Sequence, residues 1–69
     1  MDFTAVPANI LRRMRMLDIS MKQMAASLGM SERNLYRRLK DPDTFLLGEL
    51  SIICDVCKIK FNNLFREVY

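Results

Sequence analysis

The apolar residues of this 69-residue chain recur at helical spacing and nowhere alternate with polar residues long enough to predict a β-strand. After Pro7, which suits a first helical turn, Ile10 and Met14 fall on one stripe. Leu35 and Leu39 repeat the same four-residue spacing further along the chain. The pattern predicts an all-α fold class, a compact five-helix bundle with helices at residues 5–17, 21–28, 32–40, 47–58 and 61–68.

Polar and turn-forming residues mark the ends of these predicted helices. Ser20 offers a side-chain oxygen to cap the second helix, and Gln23, three residues later, completes a capping-box pattern. Gly29 can adopt the left-handed backbone conformation that ends this helix. Ser31 is a second candidate N-cap, and Pro42 cannot continue the third helix. The helix boundaries are therefore predicted by local chemistry as well as by periodicity.

Length and composition indicate one small domain over residues 1–69. A chain of this size forms a single core, and it contains no repeat, linker or low-complexity tract. No apolar run approaches the roughly 20 residues that cross a bilayer, and the N-terminal segment lacks the pattern of an export signal. We therefore expect a cytoplasmic protein with no membrane partner.

The two cysteines, Cys54 and Cys57, are expected to be reduced and to serve packing. Their C-x-x-C spacing lies inside a predicted helix, and the chain has no histidine to complete a zinc site of Cys and His ligands. The absence of histidine also removes the Ser-His and Cys-His pairs of nucleophilic catalysis. We expect no enzyme activity, no metal and no cofactor.

Positive charge is concentrated in one part of the chain. The net charge is +3, yet residues 12–40 carry eight basic residues against two acidic ones, a local balance of +6. This asymmetry favours a polyanionic partner for that part of the domain over a merely solvated helix surface. The basic residues concerned are Arg12, Arg13, Arg15, Lys22, Arg33, Arg37, Arg38 and Lys40.

Residues 21–40 contain the pattern Ala-x-x-x-Gly-h-Ser-x-x-x-Leu, in which h is apolar. Ala25 is small enough for two helices to cross closely, Gly29 allows the tight turn, Ser31 caps the second helix and Leu35 packs beneath it. The segment resembles the helix-turn-helix of the phage repressor/Cro family of regulators. That resemblance implies a lambda-repressor-like DNA-binding domain whose second motif helix enters the major groove, in a homodimer bound to a pseudo-palindrome.

The resemblance also implies the residues that read DNA. Leu35 and Leu39, if they face the core, turn the opposite face of the third helix outward, where arginines can grip guanine edges. The positions that match the family's base-reading residues are Ser31, Glu32, Arg33, Tyr36 and Arg37. The residues expected to contact the DNA backbone are Arg12, Arg13, Lys22, Asn34, Arg38 and Lys40.

Two departures from the family pattern affect contacts at its edge. Met21 stands where the family often has a glutamine whose amide meets a phosphate, so that contact is not expected here. The junction between the first helix and Ser20 is one residue shorter than usual, which predicts a different docking angle for that helix.

The C-terminal segment, residues 59–69, holds more large apolar side chains than one short helix buries: Phe61, Leu64, Phe65, Val68 and Tyr69. We expect this segment to form a two-fold dimer, the alternative being that it only closes the core. The predicted function is a sequence-specific regulator of transcription, a repressor of phage or mobile-element type. The alternative is a protein-interaction module, such as an antitoxin-like protein or an inhibitor, on the same fold.

Overall fold

The computed structural model describes residues 2–67 and places five α-helices in the predicted order, with no strand among the described residues. The all-α, five-helix fold class is therefore confirmed. A 3₁₀ helix, Pro42–Thr44, occupies the turn predicted around Pro42. The helices are α1 Val6–Met16, α2 Met21–Leu28, α3 Glu32–Lys40, α4 Leu47–Cys57 and α5 Phe61–Leu64.

The predicted C-terminal end of the last helix is wrong. α5 is a single turn that ends at Leu64, whereas the sequence predicted helix to residue 68. Phe65 follows in a turn, and residues 66–67 are not helical. Val68 and Tyr69 lie outside the described residues. Within residues 2–67, no helix has the length and apolar character needed to cross a membrane.

Both predicted caps in the segment 21–40 form as expected. The Ser20 Oγ accepts from the Gln23 backbone N–H at 3.1 Å, and the Gln23 Oε1 accepts from the Ser20 N–H at 2.8 Å. At the start of α3, the Ser31 Oγ accepts a hydrogen bond of 3.1 Å from the Asn34 backbone N–H. Each cap satisfies a backbone donor that the first turn of a helix leaves without an intrahelical partner.

The turn between α2 and α3 is closed by Gly29, which has the predicted left-handed conformation with φ 68°. The Met30 N–H donates to the Ala25 carbonyl at 3.0 Å, and the Gly29 N–H donates to the Ala26 carbonyl at 3.1 Å. This pair of bonds is the Schellman arrangement that ends many helices. Three residues then suffice to reverse the chain from α2 into α3.

The core lies between α1, α2, α3 and α4, and α5 closes it at one end. Ala25 is only 2% exposed, so α2 presents a small side chain where it packs against its neighbours. Leu28 and Met30, on either side of Gly29, are half-buried against this core. The buried apolar residues are Val6, Ile10, Met14, Met24, Ala25, Leu35, Leu39, Phe45, Leu50, Ile53, Cys57 and Leu64.

Among the described residues, one core position is polar. Asn9 lies on the inward stripe of α1 and is 1% exposed. Its Nδ2 donates to the backbone carbonyls of Leu64 and Arg66, each at 2.7 Å, and lies 3.4 Å from that of Asn63. Because these carbonyls belong to the end of α5 and the residues after it, one buried amide fastens the C-terminal segment to α1.

The cysteines contribute to the interior, as predicted. Cys57 is fully buried and Cys54 is half-buried against the core. Burial raises the pKa of both thiols. Both are therefore protonated at neutral pH and behave as small apolar side chains.

Two helices end on residues other than glycine in the left-handed conformation, Asp18 after α1 with φ 57° and Lys58 after α4 with φ 54°. The Ile19 N–H donates to the Met14 carbonyl at 2.8 Å, and the Ile59 N–H donates to the Cys54 carbonyl at 3.1 Å. Both ends thus share with the Gly29 turn the bond from the residue after the left-handed position to the carbonyl five residues earlier. The short junction before Ser20 uses this bond pattern to turn the chain from α1 into α2.

Lys58→Gly is expected to stabilise the domain. Glycine adopts φ near 54° without the clash that an L side chain meets, and the gain outweighs the greater freedom of the unfolded chain by about 0.5–1 kcal/mol. Urea denaturation measures the difference. Lys58→Ala removes the same charge but keeps the clash, so it should give no gain. Equal stabilisation by both variants would attribute the effect to charge instead.

Candidate nucleic-acid interface

Helix α3 has one buried and one exposed face. Leu35 is fully buried and Leu39 is 9% exposed, so they fix the helix against the core. Four residues at helical spacing occupy the opposite side and are all exposed: Arg33, Tyr36, Arg37 and Lys40. This outward row, called here the α3 row, contains three cations and an aromatic ring that is 53% exposed.

The side chains of the α3 row have no hydrogen-bond or ion-pair partner in the part of the domain that the structure describes. Its four residues line one shallow surface groove, which no acidic residue among the described ones lines. None of the four side chains has a hydrogen bond or ion pair with another side chain or carbonyl in residues 2–67. The two guanidinium groups therefore keep all their donors for an external partner with closely spaced acceptors.

The remaining predicted base-reading residues lie at the start of α3. Ser31 and Glu32 are both exposed, and so is the neighbouring Asn34, which was predicted to contact the DNA backbone. The Ser31 Oγ already accepts a backbone hydrogen bond as the N-cap, and its own hydroxyl hydrogen stays available to donate. Glu32 is in the first turn, where a carboxylate is favourable to the helix dipole. These residues flank the α3 row at the N-terminal end of the helix.

Arg38 is used differently from its neighbours on α3. Its Nη1 lies 3.1 Å from the Glu49 Oε1, in an ion pair whose side chains are 28% and 15% exposed, and it also donates to the Thr44 carbonyl. The Glu49 Oε1 in turn accepts a hydrogen bond of 2.8 Å from the Leu46 N–H at the start of α4. This ion pair joins the end of α3 to the start of α4 and thereby orients α3.

Arg13 is likewise engaged within the fold. Its Nε donates to the Cys57 carbonyl at 3.0 Å and its Nη2 donates to the Lys58 carbonyl at 3.1 Å, so it caps the end of α4. Arg12 donates to the Asn9 Oδ1 at 3.3 Å. Both arginines were predicted to contact DNA phosphates. In the fold, Arg13 is hydrogen-bonded to the end of α4 and Arg12 to the buried amide of Asn9.

The six predicted backbone-contacting residues thus fall into two groups. Lys22, Asn34 and Lys40 are exposed, on or beside α3 and at the start of α2. The other three have guanidinium groups that are hydrogen-bonded within the domain: Arg12, Arg13 and Arg38. These three arginines can contact a phosphate only through N–H groups that are not already hydrogen-bonded within the domain. Their predicted DNA role is therefore secondary to a structural one.

Sequence reasoning missed the roles of Asn9, Arg13 and Arg38 inside the fold. For Asn9 a signal exists, because it shares the helical stripe of Val6 and Ile10 and is a polar residue at an inward position. The bonds of the two arginines reach across 44 and 11 residues of chain, and no local pattern marks them.

The aromatic residues near the C-terminus pack on one another, on Phe3 and on the core. The rings of Phe3 and Phe65 meet edge to face with centroids 5.2 Å apart, and Phe61 and Phe65 have the same centroid separation. Leu64 is fully buried, whereas Ile59, Phe61 and Phe65 are half-buried. The described part of the segment proposed for dimerisation therefore closes the core and keeps only part of its apolar surface exposed.

Comparison of the chain with protein-family models, curated proteins and solved structures found no match. The case for a function therefore rests on the geometry and charge of α3 and its surroundings.

Proposed function

We propose that this protein binds double-stranded DNA in a sequence-specific manner through α3 and regulates transcription, most simply as a repressor. The observation that carries the proposal is the α3 row, an exposed set of cations around an aromatic ring with no partner in the described part of the chain. A helix with one face buried and such a row on the other is the element that major-groove readers insert between phosphate strands.

The dimensions of α3 and its surroundings support this role. An α-helix with its side chains is about 10–12 Å across, and a B-DNA major groove is about 12 Å wide, so a helix such as α3 fits it. The three-residue turn from α2 leaves the start of α3 at the surface, where its exposed N-terminal residues can reach base edges. The ion pair of Arg38 with Glu49 holds the helix at its other end. α3 is thus exposed at its N-terminal end and held in place at its C-terminal end.

In this proposal Arg33 and Arg37 each contact a guanine O6/N7 edge, and each contact contributes on the order of 1–3 kcal/mol of discrimination. Tyr36, between them on the same face, meets a thymine methyl group or a phosphate. Glu32 accepts from a cytosine amino group. Lys22 and Lys40, one on α2 and one at the end of α3, supply sequence-independent attraction to phosphates.

A two-fold dimer completes the proposal. Two copies of α3 placed one DNA turn apart, about 34 Å, read the two halves of a pseudo-palindrome. The partly exposed Ile59, Phe61 and Phe65 are the described residues of segment 59–69 that a second copy can cover. Sedimentation should find a dimer in solution or on DNA. One copy per bound site at high micromolar concentration contradicts this part of the proposal and leaves DNA reading by one domain intact.

Selection of bound sequences from random duplex DNA tests the proposal directly. We expect an enriched motif with guanines at fixed positions, repeated as an inverted half-site. Affinity for the selected duplex should fall steeply as salt rises, because each neutralised phosphate contributes about 0.9 to the slope of log K against log salt. Failure to enrich any sequence, with no salt-dependent duplex binding, overturns the proposal and favours the protein-interaction alternative.

A further inference from the structure

A second basic surface lies away from the α3 row, in an open groove of about 640 Å³ between α1 and the chain that follows α4. Among the described residues that line it, five are cationic and one, Glu67, is acidic. The surface is called here the α1–α5 groove. Its cations are Arg12, Arg13, Lys58, Lys60 and Arg66. Positive charge at this density in a concave site attracts an anionic ligand.

The cations of the α1–α5 groove differ in whether hydrogen bonds within the domain hold them in place. Arg13 is anchored by the two carbonyls that end α4, so its guanidinium group has a set position. Lys58 and Lys60 are exposed, and neither side chain has a partner within residues 2–67. Between them in the chain is Ile59, a half-buried apolar residue that lines the groove. The groove therefore combines cationic side chains with an apolar one.

The groove lies at the C-terminal end of α4, whereas α3 is bonded to the opposite end of that helix. Glu49, near the start of α4, pairs with Arg38 of α3, whereas Cys57, at its end, accepts from Arg13. At 1.5 Å per residue these two positions are about 12 Å apart along the helix axis. No residue of α2 or α3 is among those described as lining the groove. The groove and the α3 row therefore have no lining residue in common.

We infer that the α1–α5 groove binds an acidic segment of a partner protein, with carboxylates on its arginines and lysines and an apolar side chain against Ile59. A bidentate guanidinium–carboxylate pair suits the fixed Arg13, and ammonium groups accept carboxylates from many directions. A peptide in which acidic and apolar residues lie close together supplies both kinds of contact.

The chemistry of the lining separates a peptide from nucleic acid. Sites for single-stranded nucleic acid stack bases on aromatic rings, and none of the described residues that line the groove is aromatic. Duplex DNA is read by an element that projects into its groove, whereas this surface is concave. The inference does not depend on the proposed DNA contact of α3.

Fluorescence anisotropy with the full chain tests the inference. The probe is a short labelled peptide that alternates Glu and Leu, and the control peptide has Gln in place of each Glu. We expect the Glu peptide to bind at low salt and the Gln peptide not to bind. K60E combined with R66E should weaken binding about tenfold or more, because two attractive charges become repulsive. R15E, an exposed cation outside the groove, should leave it unchanged.

Two further measurements keep the result unambiguous. Circular dichroism checks that each variant folds, and K60Q with R66Q replaces the charge-reversed pair if that pair does not. The groove variants should lose far less duplex affinity than variants of the α3 row do. Absence of Glu-peptide binding, or equal binding by all variants, overturns the inference. So does a loss of duplex binding in the groove variants as large as the loss caused by changes in the α3 row, because the groove then belongs to the nucleic-acid surface.

Discussion

Replacing Arg33 and Arg37 together by glutamate is expected to reduce affinity for the selected duplex by at least about 100-fold, because two base contacts worth on the order of 1–3 kcal/mol each become repulsions. Both side chains are exposed and unpaired within the described residues, so folding should be unaffected. Electrophoretic mobility shift or anisotropy with the selected duplex measures the loss, and thermal denaturation confirms that the domain stays folded.

Two matched variants give this prediction its specificity. R15E with K60E reverses two exposed cations outside α3 and should weaken binding far less. R33K with R37K keeps the charge but loses the bidentate geometry, so it should retain salt-dependent binding while losing discrimination between the selected and a scrambled duplex. If R33E with R37E binds the selected duplex as the original chain does, α3 is not the reading element.

Leu35→Ala is expected to destabilise the domain by about 2–5 kcal/mol, because Leu35 is fully buried and its removal leaves a cavity beneath α3. A domain of this length has a total stability of roughly 3–10 kcal/mol. The melting temperature should therefore fall by at least about 10 °C, and part of the population should be unfolded at room temperature. Urea and thermal denaturation followed by circular dichroism measure the change.

Leu47→Ala is the matched control, since it removes the same atoms from a side chain that is 71% exposed. Its effect should stay within about 0.5 kcal/mol. DNA affinity of Leu35→Ala should fall in proportion to the unfolded fraction, and a stabilising osmolyte should restore it. A small stability loss at Leu35 comparable to that at Leu47 contradicts the packing described for α3.

The sequence predicted the helices well where the signals are local. The caps at Ser20 and Ser31 and the left-handed turn at Gly29 involve contacts within five residues, so the residue types themselves indicate them. The prediction failed at α5, where Phe61, Leu64 and Phe65 gave the periodicity of a longer helix. The chain instead leaves the helix after one turn, and Asn9 binds the carbonyls of Leu64 and Arg66.

In the candidate site, too, the sequence predicted the local features and missed the contacts between distant residues. The outward direction of Arg33, Tyr36 and Arg37 follows from the inward direction of Leu35 and Leu39, because residues on one helix have fixed angular relations. The engagement of the other arginines depends on which carbonyls and carboxylates folding brings near them. The sequence alone therefore predicted more cationic residues in contact with DNA than the folded domain leaves without an internal hydrogen bond.

By itself the sequence determined the first four helices and the start of the fifth, two N-caps, the Gly29 turn and the face of α3 that carries charge, since each depends on residues a few positions apart. Only the tertiary structure decided that Asn9 fastens the C-terminal segment, that Arg38 pairs with Glu49, and that Arg13 caps α4. These bonds join residues 11 to 57 positions apart, and their partners meet only once the helices have packed. The α1–α5 groove has the same origin, because packing alone brings its cations together.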